Sequence, residues 1–207
     1  MISETTDLPS TLKPAVFLDR DGTITIYDGY VTSPSQLRLL PDVAASLVKL
    51  KQAGFLCILI TNQSAVGRGM ITVDELDAIH AELNRLLAAA GTQLDAIYSC
   101  LECPSLDDET IAEHPDRKPG PGMLLRAASD MGIDLAQSWM IGDRLSDVLA
   151  GVNAGCRSIR VRTGHRYTCP IRSIDGEYVC KYSIKEAAEF ILAETRTKNE
   201  AIAIRPQ

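Results

Sequence analysis

Short apolar runs alternate with helical segments along almost the whole chain. The runs lie at residues 15–18, 55–60, 94–98, 139–141 and 158–161, each bounded by polar residues or glycine, as buried strands are. Between the first two, residues 43–53 place Ala44, Leu47, Val48 and Leu50 along one side of a helix, and Gly54 stands where helices end. Thr72 and Glu75 make a capping box, and Leu76, Ile79, Leu83 and Leu86 then recur at helical spacing up to Gly91. Residues 121–130, 146–154 and 184–195 read as three more helices. Strand and helix in alternation predict a Rossmann-like α/β fold, a parallel sheet with helices on both faces. One domain over residues 14–195 suits the length, with a loose leader at 1–13 and a polar tail at 196–207.

Charge and composition exclude several functions. A net charge of −6 leaves no spare cations to neutralise a nucleic-acid backbone. No apolar run approaches the length of a membrane span. The first residues are polar and acidic, unlike a signal peptide, so a cytoplasmic location is expected. The six cysteines are scattered rather than framed as a disulfide scaffold, and reduced thiols are expected.

In a sheet of this kind, ligands bind beyond the carboxyl ends of the strands. Asp19 and Asp21 follow the first run, Thr61 and Asn62 the second, Cys100 the third and Asp143 the fourth. These residues therefore converge on one rim. Two adjacent carboxylates repel unless a cation joins them. Oxygen ligands beside a phosphate suit Mg²⁺. A carboxylate also serves as a nucleophile toward phosphorus, and a second one as acid and base. Phosphoryl transfer further needs cations. Lys118 (braced by Pro119), Arg68 on a glycine-flanked turn, and Arg144 supply them, beside Thr61 and Asn62. Alone, each is an ordinary surface group; together they fit metal-assisted phosphate chemistry.

Four segments, Asp19-x-Asp21-Gly22-Thr23, Thr61-Asn62-Gln63-Ser64, Arg117-Lys118-Pro119-x-Pro121-Gly122-Met123 and Gly142-Asp143-x-x-x-Asp147, resemble in order the four motifs of the haloacid dehalogenase-like phosphatases. The segments around Phe17–Ile24, Gly29-Tyr30-Val31, Arg68-Gly69 and residues 161–164 are similar to its heptose 1,7-bisphosphate and histidinol-phosphate phosphatase branch. The resemblance covers roughly residues 14–195. It implies Asp19 as nucleophile and Mg²⁺ ligand, Asp21 as acid/base and metal ligand through its carbonyl, and Asp143 completing the Mg²⁺ site. Thr61 and Lys118 would stabilise the transferring phosphoryl group, and Asp147 would orient Lys118 or a metal-bound water. Arg20, Tyr27, Asp28, Gly29, Tyr30, Asn62, Gln63, Ser64, Arg68, Arg117 and Arg144 would face the substrate. The cap is minimal; the long polar loop at 101–119 is the candidate lid.

The same branch often carries zinc on that loop, through a Cys-x-His pair and a Cys-x-Cys pair before Arg-Lys-Pro. This chain keeps Cys100 but has Glu102, His114 and Asp116 at the other places, with Cys103 out of register. Two readings stand: a rearranged zinc site of Cys100, Cys103 and His114 with Asp116 or Glu102, or a loop held by packing alone. His80 is expected to be solvated, and Trp139, Tyr98 and Cys57 to be core.

The implied activity is Mg²⁺-dependent hydrolysis of a phosphomonoester through an aspartyl-phosphate. The leading substrate is D-glycero-D-manno-heptose 1,7-bisphosphate, losing its 7-phosphate in heptose precursor synthesis. The alternatives are histidinol phosphate or another small ester, a nucleic-acid 3′-phosphate, and a non-catalytic phosphate-binding module. A monomer acting on a small phosphorylated sugar, with no nucleic-acid or membrane partner, is expected.

Overall fold

The chain centres on strand β1 (Ala15–Leu18), whose four residues are wholly buried. The structure is a computed structural model describing residues 12–106, 108, 110–164 and 178–203. The expected leader up to residue 11, together with His165, Arg166, Cys169 and Arg172, lies outside them. β1 pairs in parallel with β2 (Leu56–Asn62) on one side and β4 (Trp139–Gly142) on the other. β3 (Ala96–Cys100), β5 (Arg157–Val161) and β6 (Tyr178–Lys181) extend the sheet outward, giving the order β3-β2-β1-β4-β5-β6, all parallel.

The period of two sorts the strands into two cores. Val16, Leu18, Cys57, Leu59, Trp139 and Ile141 point to one face. There they meet Leu47 and Leu50 of α1 (Val43–Gln52), Ile79 and Leu83 of α3 (Val73–Ala89), and Ala187 and Ile191 of α6 (Ile184–Ala203). Ala15, Phe17, Ile58, Ile60 and Met140 point the other way, onto α4 (Gly122–Met131) and α5 (Leu145–Asn153). A one-turn helix, α2 (Ser64–Gly67), follows β2. Both faces are covered, which is why these strands read as continuous apolar runs rather than alternating ones.

The expected caps form. Thr72 accepts a hydrogen bond from the Glu75 N–H at the start of α3, and the Glu75 carboxylate accepts the Thr72 N–H at 2.7 Å. Gly54 and Gly91 adopt positive φ beyond the ends of α1 and α3. Several expectations need correction. β6 carries no apolar run, since Tyr178 is buried but its next three residues are only half-buried, and it pairs with β5 at the sheet edge. α6 runs on to Ala203, so residues 196–203 are helix rather than tail. Cys180 is disulfide-bonded rather than a free thiol. Tyr98 is only half-buried, its hydroxyl donating to Asp130 at 2.9 Å. Lys13, assigned to the leader, pairs its backbone with Gly132 and Asp134. Among the described residues no helix is long and apolar enough to cross a membrane.

His80 is also buried, at 9% exposure, on the inner side of α3. Its place one residue after Ile79 puts it at the margin of the apolar stripe, where a polar residue is easily misread. Burial, aided by the Arg20 charge, lowers its pKa to about 4. The folded state therefore holds His80 neutral while the unfolded chain protonates near pH 6.5, so stability is full above that pH and falls as pH drops toward 4. Between pH 7.5 and pH 5 the loss is expected to be about 2 kcal/mol. Urea denaturation of the wild type and His80→Leu at the two pH values isolates it, since the change in stability between the two pH values should differ between the proteins by about that amount.

Candidate active site

The order of strands reverses at β1, because the chain moves outward through β2 and β3 and then returns to β4 on its other side. A crevice opens at such a reversal. Asp19 leaves β1 and Asp143 leaves β4, so both carboxylates enter it. The α5 helix begins two residues after Asp143 and returns Asp147 to the same place. All three are buried, and one carboxylate oxygen of each lies within 4.8 Å of the others.

Lys118 binds this cluster from the opposite loop. Its ammonium lies 2.6 Å from Asp19 Oδ1, 2.7 Å from Asp147 Oδ1 and 2.8 Å from the Ile60 carbonyl. Asp19 and the Ile60 carbonyl accept N–H bonds from it, and Asp147 makes an ion pair with the same nitrogen. Burial works against the charge on Lys118, but Asp147 and Asp19 more than offset it and hold its pKa above the ordinary lysine value. Burial raises Asp19 to about 6, with Lys118 opposing and Asp147 and Asp21 adding to the rise. The Lys118 backbone is fixed too. Asn62 donates Nδ2–H to the Lys118 carbonyl and accepts its N–H, both at 3.1 Å.

Asp21 has different company. Its carboxylate accepts a two-pronged bond from Arg20, at 2.9 and 2.7 Å, and lies 3.3 Å from Gln63 Nε2 and 3.2 Å from the Thr25 hydroxyl. Gln63 also donates to Thr61 Oγ1 at 2.8 Å. Arg20, expected to face substrate, is only 1% exposed; its guanidinium pairs with Asp21, and it is also one of the residues lining the cavity above the site. Gly22 makes the turn possible. Its φ is +85°, and a Cβ there would stand 2.7 Å from the Gly164 Cα and 2.9 Å from the Asp143 carboxylate.

Above these groups lies a cavity of about 280 Å³. Asp19, Asp21, Thr61 and Lys118 line it, with Tyr27, Gly29, Tyr30, Asn62, Gln63, Ser64, Arg68, Arg117 and Arg144 from the expected substrate set. Asp28 does not. Arg144 stacks over the Tyr27 ring at 5.8 Å. Arg117 Nη1 donates to the Glu102 carbonyl at 2.7 Å.

Comparison with known proteins agrees with this geometry. Residues 116–186 match the HAD-hydrolase-like family model. A D-glycero-D-manno-heptose-1,7-bisphosphate 7-phosphatase of Thermosynechococcus vestitus is 41% identical over 157 residues, 73% of this chain and 80% of that protein. A 7-phosphatase of Yersinia pestis, named for the beta form of the same bisphosphate, is 36% identical over 181 residues, 85% of this chain and 92% of that protein. The chain belongs to the haloacid dehalogenase-like phosphatases. The crystal structure of a D,D-heptose 1,7-bisphosphate phosphatase from B. bronchiseptica, complexed with magnesium and phosphate, superposes with a TM-score of 0.76 at 32% identity. It covers 88% of this chain and 99% of that one.

The donor set of this phosphatase fits a hard divalent cation. Three buried carboxylate oxygens gather within 4.8 Å of one another, and Lys118 pairs with two of those residues, Asp19 and Asp147. All the donors are oxygens. The expected set took the Asp21 backbone carbonyl, and the Asp21 side chain is free for its pairing with Arg20; among side chains, Asp147 stands beside Asp19 and Asp143. Asp147 was expected as the partner that orients Lys118, and its 2.7 Å contact fits that place.

Cys100, Cys103 and His114 do not converge. Among the described residues, Asp19, Asp143 and Asp147 are the set whose ligand atoms gather within 4.8 Å. Cys103 Sγ donates to the Ser64 carbonyl, and His114 Nδ1 accepts the Asp116 N–H at 3.1 Å. Burial pushes the Cys100 thiol above its ordinary pKa. Asp116 instead pairs with Arg126 at 2.6 Å.

Sequence reasoning missed the cavity wall formed by Pro104, Leu106, Asp108, Ile111 and Glu113. The loop was legible as a candidate lid, but no periodicity marks which of its side chains face inward.

The Asn62 clamp is testable. Asn62→Ala removes both bonds to the Lys118 backbone, with an expected loss of about 1–2 kcal/mol in urea denaturation. Phosphate release should fall with it, because the ammonium then loses its fixed aim.

Proposed function

We propose that this phosphatase is Mg²⁺-dependent and removes the 7-phosphate of a D-glycero-D-manno-heptose 1,7-bisphosphate through an aspartyl-phosphate on Asp19. The observation that carries the reading is the cluster of Asp19, Asp143, Asp147 and Lys118 at the floor of a cavity that Arg20, Arg68, Arg117 and Arg144 also line. One phosphoryl group occupies the floor. Arg68, Arg117 and Arg144 suit a second phosphate on the same molecule. The names of the relatives support the heptose.

The steps follow from the side chains. Asp19 Oδ attacks phosphorus, and the bond to the sugar oxygen breaks in line. Asp21, held in place by Arg20 and Gln63, gives its proton to the leaving oxygen. A water then attacks the phosphoryl-Asp19 bond as Asp21 takes its proton, and inorganic phosphate leaves. Lys118 and the Thr61 hydroxyl face the charge that spreads over the equatorial oxygens. Lys118 also keeps buried Asp19 available as a carboxylate against the pull of desolvation. Asp19, Asp143 and the Asp21 carbonyl would hold Mg²⁺, with Asp147 beside them, and the bound ion supplies charge neutralisation between the nucleophile and the phosphoryl oxygens. A monomeric enzyme in the cytoplasm fits this activity.

The test is Mg²⁺-dependent phosphate release from both anomers of the heptose bisphosphate, histidinol phosphate, fructose 1,6-bisphosphate and a 3′-phosphorylated oligonucleotide. A heptose kcat/KM exceeding the rest by ~100-fold, about 2.7 kcal/mol of transition-state discrimination, is expected. A flat profile, or one led by histidinol phosphate, removes the substrate assignment and leaves the mechanism. Asp19→Asn should lower kcat by at least ~1000-fold with the melting curve retained. Release that survives the change would exclude the aspartyl-phosphate.

A further inference from the structure

The loop between β3 and Lys118 does two things at once. Its Pro104, Leu106, Asp108, Ile111 and Glu113 line the cavity above Asp19. Leu106 and Ile111 are 51% and 45% exposed, large apolar side chains bordering a space whose floor is charged. A single exposed leucine means little. Two on one loop, both lining the same cavity, make an apolar wall that phosphate oxygens do not need.

The loop is also braced from within. Glu113 spends both carboxylate oxygens on neighbouring amides, accepting Leu106 N–H at Oε1 and Ser105 N–H at Oε2, each at 2.6 Å. These bonds close a turn across seven and eight residues. The Ser105 amide in particular holds the Glu113 carboxyl below the usual glutamate range. Asp108 closes a smaller turn inside it, accepting the Thr110 N–H at 2.9 Å and hydroxyl at 2.6 Å. The base is tied down by Asp116 to Arg126 of α4, and by Arg117 to the Glu102 carbonyl. The Glu113 carboxylate thus sets where Leu106 stands, and the chain between them carries Ile111.

We propose that Glu113 is a positioning residue for substrate selection: its clamp on the Ser105 and Leu106 amides holds Leu106 and Ile111 as a wall against the carbon skeleton of the bisphosphorylated sugar. The identity of that occupant rests on the function proposed above. The clamp does not. The phosphoryl floor accepts any monoester that reaches it, so selection must come from contacts further out. The arginines answer the second phosphate, and the C–H face of a sugar between them is matched by aliphatic side chains rather than by more charge.

The experiment compares the full chain with Glu113→Ala, Glu113→Gln and Leu106→Ala. Heptose 1,7-bisphosphate and acetyl phosphate, whose two carbons are too few to span the cavity, serve as substrates. Amide exchange at residues 104–106 is measured alongside. Glu113→Ala is expected to raise the KM for the bisphosphate ~10-fold with kcat within twofold. It should lower the preference over acetyl phosphate by the same factor and speed exchange at 104–106. Glu113→Gln, with one acceptor oxygen left, should fall between, and Leu106→Ala should raise KM without the faster exchange. Exchange unchanged in Glu113→Ala overturns the clamp. Faster exchange with KM unchanged overturns its role in selection. If the wild type prefers another ester of the panel, the heptose assignment falls, and the same KM and exchange criteria on that ester decide the clamp separately.

Discussion

The ammonium of Lys118 is the contact on which the site depends. It is buried, and it touches Asp19, Asp147 and the end of β2 at once. Each of these comes from a different part of the chain, and two of them are like charges that would otherwise repel in a dry crevice. Removing the ammonium would leave adjacent buried carboxylates uncompensated, which is costlier than never having buried them. Its placement is therefore reinforced twice, by Asn62 on its backbone and by Asp19, Asp147 and the Ile60 carbonyl on its ammonium. The same ion pairing opposes the desolvation of Asp19 and so favours its carboxylate form, the form that the proposed mechanism needs.

The sheet explains why those groups meet. β1 lies between β2 and β4, so the carboxyl ends of three neighbouring strands deliver Asp19, Thr61 and Asp143 to one place. Gly22 lets the chain turn directly under Asp143 without a side chain in the way. Thr163 reaches across from the end of β5 and donates to the Gly22 carbonyl at 2.7 Å, securing that turn from the far side. The arginines and the 104–113 wall are added by loops, which is the usual division between a rigid scaffold and the groups that select a substrate.

Much of this was legible in the residues. The strand and helix pattern, the Thr72 cap and the positions of Asp19, Lys118 and Asp143 follow from local spacing and from the rule about strand ends. What was misread or left open shares a cause. His80 is a polar residue at the margin of an apolar stripe, and only packing tells which way such a residue turns. Arg20 both pairs with Asp21 and lines the cavity, a division that local sequence does not reveal. Of the two readings of the 100–116 loop, the contacts of Cys103 and His114 with backbone groups favour packing.

The sequence by itself determined the α/β class, the family and the residues able to transfer a phosphoryl group, because these depend on periodicity and on motifs a few residues long. Tertiary structure alone decided that Asp147 joins Asp19 and Asp143, that Asp21 turns to Arg20, and that Glu113 rather than a thiolate cluster shapes the cavity wall. Those outcomes turn on distances between side chains remote in sequence or free in rotamer. Such distances are set by the register of the sheet and the path of the loops, and no local pattern encodes them.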